Sequence, residues 1–161
     1  MRQVITLLLV AVLISGCATT YHQYSWRTGG YSNIKIQDDI FKVRFLGNAK
    51  CTLGRVEDFT LLRCAEVALE NGYKYFIVID EKADKTTGMF TSPASAQTVG
   101  TSYGGTYRGT TTVYGGQTFF YQLPQLEKTI NCFKDKPDNI PTIVYDAEQI
   151  RTNIKAQYNL K

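Results

Sequence analysis

The sequence predicts an α+β domain in which a small mixed sheet of about four to five strands carries two helices, and three stretches predict it. Residues 33–46 alternate with period two: Ile34, Ile36, Phe41, Val43 and Phe45 are interleaved with Lys35, Lys42 and Arg44, the pattern of strands with one buried face. Asp38 and Asp39 supply polar turn residues between the two arms of a hairpin. Residues 53–70 then bring Phe59, Leu62, Ala65 and Leu69 to one helix face, with Leu61 and Ala68 widening the stripe and Glu57, Arg63, Val67 and Glu70 on the far side. Thr52 is a good N-cap. Asn71-Gly72 ends the helix in a left-handed conformation, with Tyr73 placed for the accompanying apolar contact. Residues 75–79, Tyr-Phe-Ile-Val-Ile, are an unbroken apolar run of the kind found in a strand covered on both faces. Strand, helix and strand joined by short loops make residues 41–80 a β-α-β unit, with a parallel crossover if both strands share one sheet.

The later elements follow the same logic. Residues 91–116 are dominated by Thr, Ser, Gly, Ala and Tyr, with six glycines from Gly100 to Gly116. Such a stretch buries little apolar surface, which predicts a flexible insertion, a mobile loop or weak hairpin. Tyr103, Tyr107 and Tyr114 punctuate it, either as a stacking surface for sugars or a partner protein, or as incidental residues of a disordered insertion. Residues 118–123 and 127–133 are two further strands, with Pro124 as the breaker between them. A turn at 137–141 precedes a helix-start signature: Asp146 as N-cap, Gln149 three residues on, and Tyr145 facing Ile150 as a staple. Ala147, Ile150 and Ile154 line one face of that helix, which is expected to dock on the sheet.

The N-terminus carries an address. Residues 1–3 hold one positive charge, and residues 4–14 are apolar or hydroxyl-bearing. Eleven such residues fall short of the roughly 20 that cross a bilayer as a helix, as in a cleavable export signal. Ile14-Ser15-Gly16-Cys17 resembles the lipobox of bacterial lipoproteins. That resemblance implies a signal peptide over residues 1–16, acylation of Cys17 as the mature N-terminus, and the lipid bilayer as first partner. Ala18 resembles the outer-membrane default of enterobacterial sorting, which implies a lipid-anchored, periplasm-facing protein of the outer membrane. Residues 17–30 show no sustained period and are expected to be a flexible tether, with Tyr21, Tyr24 and Trp26 at the membrane interface or simply in a loose linker. Residues 31–161 then form a single domain. Removal of the signal takes one base, Arg2, and no acid, so the net charge falls from +4 to +3. That mild charge, spread without a run of bases, gives no footprint for nucleic acid; an envelope protein or a cell-wall polymer remains as a further partner.

The chemistry is bounded by what side chains exist. His22 is the single histidine, which excludes a histidine-based triad and a multi-histidine metal site, and no cofactor motif is present. With Cys17 committed to lipid, Cys51, Cys64 and Cys132 remain. In a continuous helix Cys64 lies about 18 Å from the cap at about 1.5 Å per residue, too far from Cys51 for a bridge. Cys51–Cys132 is therefore the favoured disulfide, ahead of Cys64–Cys132, with a fully reduced protein as the third alternative. Arg55, Asp58 and Glu66 border the apolar stripe of the first helix and need partners there. They read as a buried polar cluster built on an Arg–Asp contact at spacing three, rather than as an acid–base pair, because no nucleophile or oxyanion donor accompanies them.

Phe45-Leu46-Gly47-Asn48, Arg55-Val56-Glu57-Asp58-Phe59, Leu61-Leu62-Arg63-Cys64-Ala65-Glu66 and Gly72-Tyr73-Lys74-Tyr75-Phe76 together resemble a family of uncharacterised Gram-negative lipoproteins of the Caulobacter type. Members typically have alanine at the position of Cys64 and threonine at that of Cys51, which makes any bridge a local feature of this chain. The resemblance implies address and fold and carries no catalytic residue. The expected function is thus a binding, structural or assembly role in the envelope, without catalysis. The alternative is an envelope hydrolase or a thiol-dependent redox enzyme, for which Cys51, beside the first helix turn, is the candidate nucleophile.

Overall fold

The computed structural model describes residues 18–161; the expected signal peptide, residues 1–16, and Cys17 lie outside the described residues. Strand β1 (Gly30–Lys35) and β2 (Ile40–Leu46) form the expected hairpin, closed by Ile36 N–H and Gln37 N–H donating to Ile40 O at 2.9 and 3.1 Å. Phe41, Val43 and Phe45 are buried on its inner face. Ile34 and Ile36 do not join them. The register sets Ile34 opposite Lys42 and Tyr31 opposite Phe45, so Ile34 points outward and is 60 % exposed, and Ile36, just past the end of β1, is exposed as well.

Helix α1 (Leu53–Glu70) has the predicted bounds. Thr52 Oγ1 accepts from Arg55 N–H at 3.3 Å, and Tyr73 N–H to Ala68 O (2.9 Å) with Gly72 N–H to Leu69 O (3.0 Å) closes its C-terminus as a Schellman motif. Gly72 there has φ +80°, which glycine adopts without a Cβ penalty. Val67, placed by the sequence on the far side, is buried together with Cys64, because α1 is covered by the sheet and also by a second helix.

That helix, α2 (Ala147–Tyr158), starts as expected, with Asp146 Oδ1 accepting from Gln149 N–H at 3.0 Å. It runs antiparallel along α1: Ala147 shares a cluster with Ala65, Val67 and Ala68, while Tyr158 packs with Phe59 and Val56 near the start of α1. Between the helices in sequence lie β3 (Tyr75–Thr91), β4 (Ser95–Tyr103), β5 (Thr106–Tyr114), β6 (Thr118–Phe133) and the short β7 (Tyr145–Asp146).

Five strands form one sheet in the order β1-β2-β6-β3-β7, and β4 pairs with β5 in a second. The fold is α+β as predicted, but both sheets are antiparallel rather than mixed; an isolated parallel bridge joins Gln23 to Tyr31. The β-α-β unit is split. Strands β2 and β3 share the sheet with β6 between them, so the crossover spans one intervening strand. Nor does Pro124 break β6. It sits one residue past the last β2 pair, Leu46 opposite Gln125, so the β2 ladder needs no N–H from it, and its carbonyl accepts from Gly47 N–H at 2.9 Å.

The chain divides into two compact units, one holding the described chain through Thr86 with Leu123–Lys161, the other Thr87–Gln122. In the first, residues 18–30 are not the expected tether. Thr19, only 4 % exposed, donates its hydroxyl to Thr28 O (3.0 Å) and accepts from Asn48 N–H (2.8 Å). Ala18 and Tyr21 pack against the cluster of Phe45, Cys51, Val56, Phe59 and Leu126, and Ser25–Gly29 closes a tight turn. Side-chain bonds to backbone, invisible to periodicity, fix this segment.

Candidate functional site

Among the described residues, a polar cleft, the buried thiols and the second unit have chemistry that could bind or react. The cleft, about 560 Å³, lies between the segment at Gln23–Tyr24, β1 and α1. Its charged residues are Arg63 and Glu70, both of which the sequence placed on the far side of α1. Arg63 Nη1 and Nη2 grip Glu70 at 2.7 and 2.9 Å, Nη1 also reaches Glu66 at 3.3 Å, and Nε donates to Asn33 Oδ1 at 3.0 Å. The guanidinium lies 4.7 Å from the centroid of the Tyr31 ring. Burial pulls its pKa down, but the bond to Glu70 and that carboxylate's charge outweigh burial and leave it raised. Two carboxylates thus hold this cation, which braces the cleft wall rather than waiting for an anionic substrate.

Glu66 and Asp58 are polar anchors between elements. Glu66 accepts from the Tyr21 hydroxyl and pairs with Lys155 of α2 at 3.2 Å. Burial, then the bond to Glu66 and its charge, push the Tyr21 phenol well above its ordinary range. Asp58 accepts from the Tyr158 hydroxyl at 2.6 Å and from Gln157 Nε2 at 3.3 Å. The expected contact between Arg55 and Asp58 is not among the ion pairs of the described residues. Arg55 instead lies 5.0 and 5.2 Å from the ring centroids of Phe59 and Tyr158, because α2 brings an aromatic ring to the helix start, and its buried Nε has no hydrogen-bond partner. Arg55, Asp58 and Glu66 therefore form no single cluster: the first two meet at Tyr158, and Glu66 joins Tyr21, Arg63 and Lys155. Arg63 shares α1 with Glu66; the sequence missed Tyr21, Lys155, Gln157 and Tyr158 as partners of the carboxylates because each lies outside α1.

Cys51, Cys64 and Cys132 are free and buried, so the favoured Cys51–Cys132 bridge is corrected. Cys132 N–H donates to Asp39 O at 2.8 Å beside the start of β2, whereas Cys51 follows its end. The strand between them spans about 20 Å at about 3.3 Å per residue, against a disulfide limit of about 7 Å between Cα atoms. Burial pushes the Cys132 thiol up to about 12 and the Cys64 thiol higher still. Cys51, the candidate nucleophile, is packed beneath Gly47 with its sulfur 4.0 Å from Thr19 O. None of these three thiols is presented to a substrate.

The second unit, Thr87–Gln122, contains no buried residue and a single charged one, Arg108. Nine consecutive antiparallel pairs, Ser95 opposite Tyr114 through Tyr103 opposite Thr106, make 95–114 a hairpin, turned at Gly104 and Gly105 with φ +56° and +79°. Of the two expected forms, mobile loop or weak hairpin, the hairpin is the one seen. Its tyrosines do not make one stacking surface. Directly paired residues share a face, which puts Tyr103 and Tyr114 on one side and Tyr107 on the other. Tyr107 lies over Gly100 and Gly109, where a Cβ would come within 2.6 and 2.9 Å of its ring, so it covers the glycine pair instead of facing solvent freely. Met89, Phe90, Val99, Val113, Phe119 and Phe120 are exposed in the same unit.

No protein-family model, curated protein or solved structure matches this chain. The lipoprotein resemblance therefore rests on the lipobox and the short motifs themselves.

Proposed function

We propose that this chain is a lipid-anchored envelope lipoprotein, held in the outer membrane through acylated Cys17 and facing the periplasm, with a binding or assembly role. The export signal and Ile14-Ser15-Gly16-Cys17 support the address. The observation that carries the role is Thr87–Gln122, a segment of 36 residues with one charge, no core and exposed Met89, Phe90, Phe119 and Phe120. Apolar groups in such number on a soluble surface mark a site that something covers. A reaction centre gains no comparable support, since Arg63 is doubly paired and the thiols are buried. Labelled palmitate tests the address: it should enter the wild-type chain and be absent from Cys17→Ala, which should also lose processing and leave the membrane pellet. Processed, pelleting Cys17→Ala protein would overturn the lipoprotein reading.

A further inference from the structure

Strands β4 and β5 pair with each other alone in a two-stranded sheet, so each keeps one edge of backbone N–H and C=O groups outside the ladder. A hairpin of two strands is marginal in water, and three or more strands are the stable arrangement. Proteins that keep such edges monomeric place charges, prolines or bulges on them. Strand β5, Thr-Tyr-Arg-Gly-Thr-Thr-Thr-Val-Tyr, has one charge, no proline and an uninterrupted register. It is an edge built to be paired.

We infer that the partner of β5 is the β5 strand of a second copy of this chain, antiparallel across a two-fold axis at Thr110. This rests on the assembly role proposed above and names its partner. Thr110 is the middle residue of the nine in Thr106–Tyr114. Pairing about it sets Tyr107 opposite Val113 and Tyr114 opposite Thr106, aromatic against β-branched, which are favourable cross-strand pairs. It also sets Arg108 opposite Thr112. The two Arg108 side chains then lie four residues apart along the strands, about 13 Å at about 3.3 Å per residue, beyond the screening length of about 8 Å at physiological salt. The other edge is poorer. Pairing β4 about Val99 would set Gly100 against Thr98 and Tyr103 against Ser95 and bring no aromatic against a β-branched residue. A lipid surface cannot satisfy a row of edge N–H groups, whereas a second strand can, and a two-fold pair closes on itself without further growth at that edge.

The test uses the full chain in intact cells with Thr110→Cys, an exposed position, under mild catalysed oxidation; the three native thiols are buried and stay silent. A directly opposed pair lies within disulfide reach. A product of twice the chain mass, at least ten-fold more abundant than from Val99→Cys, is expected. A monomer, equal yield from Val99→Cys, or a product of another mass would overturn the proposal, the last by placing a different protein on this edge. A charge swap gives a second reading on purified full chain by light scattering. Thr112→Arg sets an arginine against Arg108 of the partner copy and should reduce a two-chain mass to one; Arg108→Glu added to it should restore two. Failure of that restoration with unchanged circular dichroism also overturns it. Because mass is read rather than location, the same measurements on Cys17→Ala separate this inference from the lipoprotein reading: a two-chain mass there upholds the pairing of β5 whether or not palmitate enters the wild-type chain, and a one-chain mass overturns the pairing and leaves the address standing.

Discussion

Part-buried Tyr21 and buried Cys64 and Cys132 are neutral when protonated, and the folded state holds each proton more tightly than the unfolded chain does. Their contribution to stability is therefore complete below the unfolded values, 9.0 for the thiols and 10.0 for the phenol, and is lost as pH rises through the folded ones. Thermal denaturation between pH 7 and 11 should show a melting temperature that is level near neutrality and falls from about pH 9 upward. The double variant Cys64→Ala/Cys132→Ala should start lower, by roughly 1–3 kcal/mol from lost packing, and should fall less steeply. An equal slope in both proteins would show that the thiols do not carry the effect. The same burial predicts that iodoacetamide leaves all three cysteines unmodified in the folded protein at pH 8 and labels them in denaturant. Composition could not reveal this. An odd cysteine count in an exported chain suggests a bridge, and only the β2–β6 register, with Asp39 beside Cys132, shows that β2 separates Cys51 from Cys132.

Elements whose ends are written in side chains were legible, and those held by remote partners were not. Thr52, Asn71-Gly72 and Asp146 each satisfy backbone groups of their own helix, so α1 and the start of α2 could be read locally. Ile34 was misjudged because the facing of a strand depends on its pairing register, which moves every side chain to the other face when shifted by one residue. Pro124 was misjudged for a related reason: whether a proline breaks a strand depends on which neighbour needs its N–H. Residues 95–114 form a hairpin although their composition suggests disorder, since nine pairs and Tyr107 over Gly100 offset the loss at glycine. Yet nothing in Thr87–Gln122 is buried, so the core elsewhere should not depend on it. Replacing residues 91–116 by a short glycine linker should leave the melting temperature within a few degrees and unfolding cooperative, because closure entropy varies only slowly with loop length. Loss of a cooperative transition would show that this segment supports the core.

Ala18 and Thr19 are packed into the first unit, so an acyl group on Cys17 would join the folded chain within one residue, about 3.8 Å between Cα atoms. An anchored chain of this kind has no slack. The one base in residues 18–30, Arg27, is exposed, but it lies in the turn closed by Ser25 and Gly29, with its guanidinium 4.8 Å from the Trp26 ring centroid. Proteases need an extended, locally opened segment of several residues, and a hydrogen-bonded turn beside a buried Thr19 opens rarely. Trypsin added to opened envelopes should therefore release the wild-type domain slowly, at least ten-fold more slowly than a variant carrying a flexible glycine-serine-lysine linker between Cys17 and Ala18. Both proteins should melt at the same temperature, since the insertion precedes the packed residues. Thr19→Val supplies the intermediate case: it removes the hydroxyl that bonds Thr28 and Asn48, costs about 1–3 kcal/mol through the loss of both bonds, and should speed release at Arg27 without any added length. Equal release rates for the wild type and the linker variant would mean that residues 18–30 behave as a tether on the membrane.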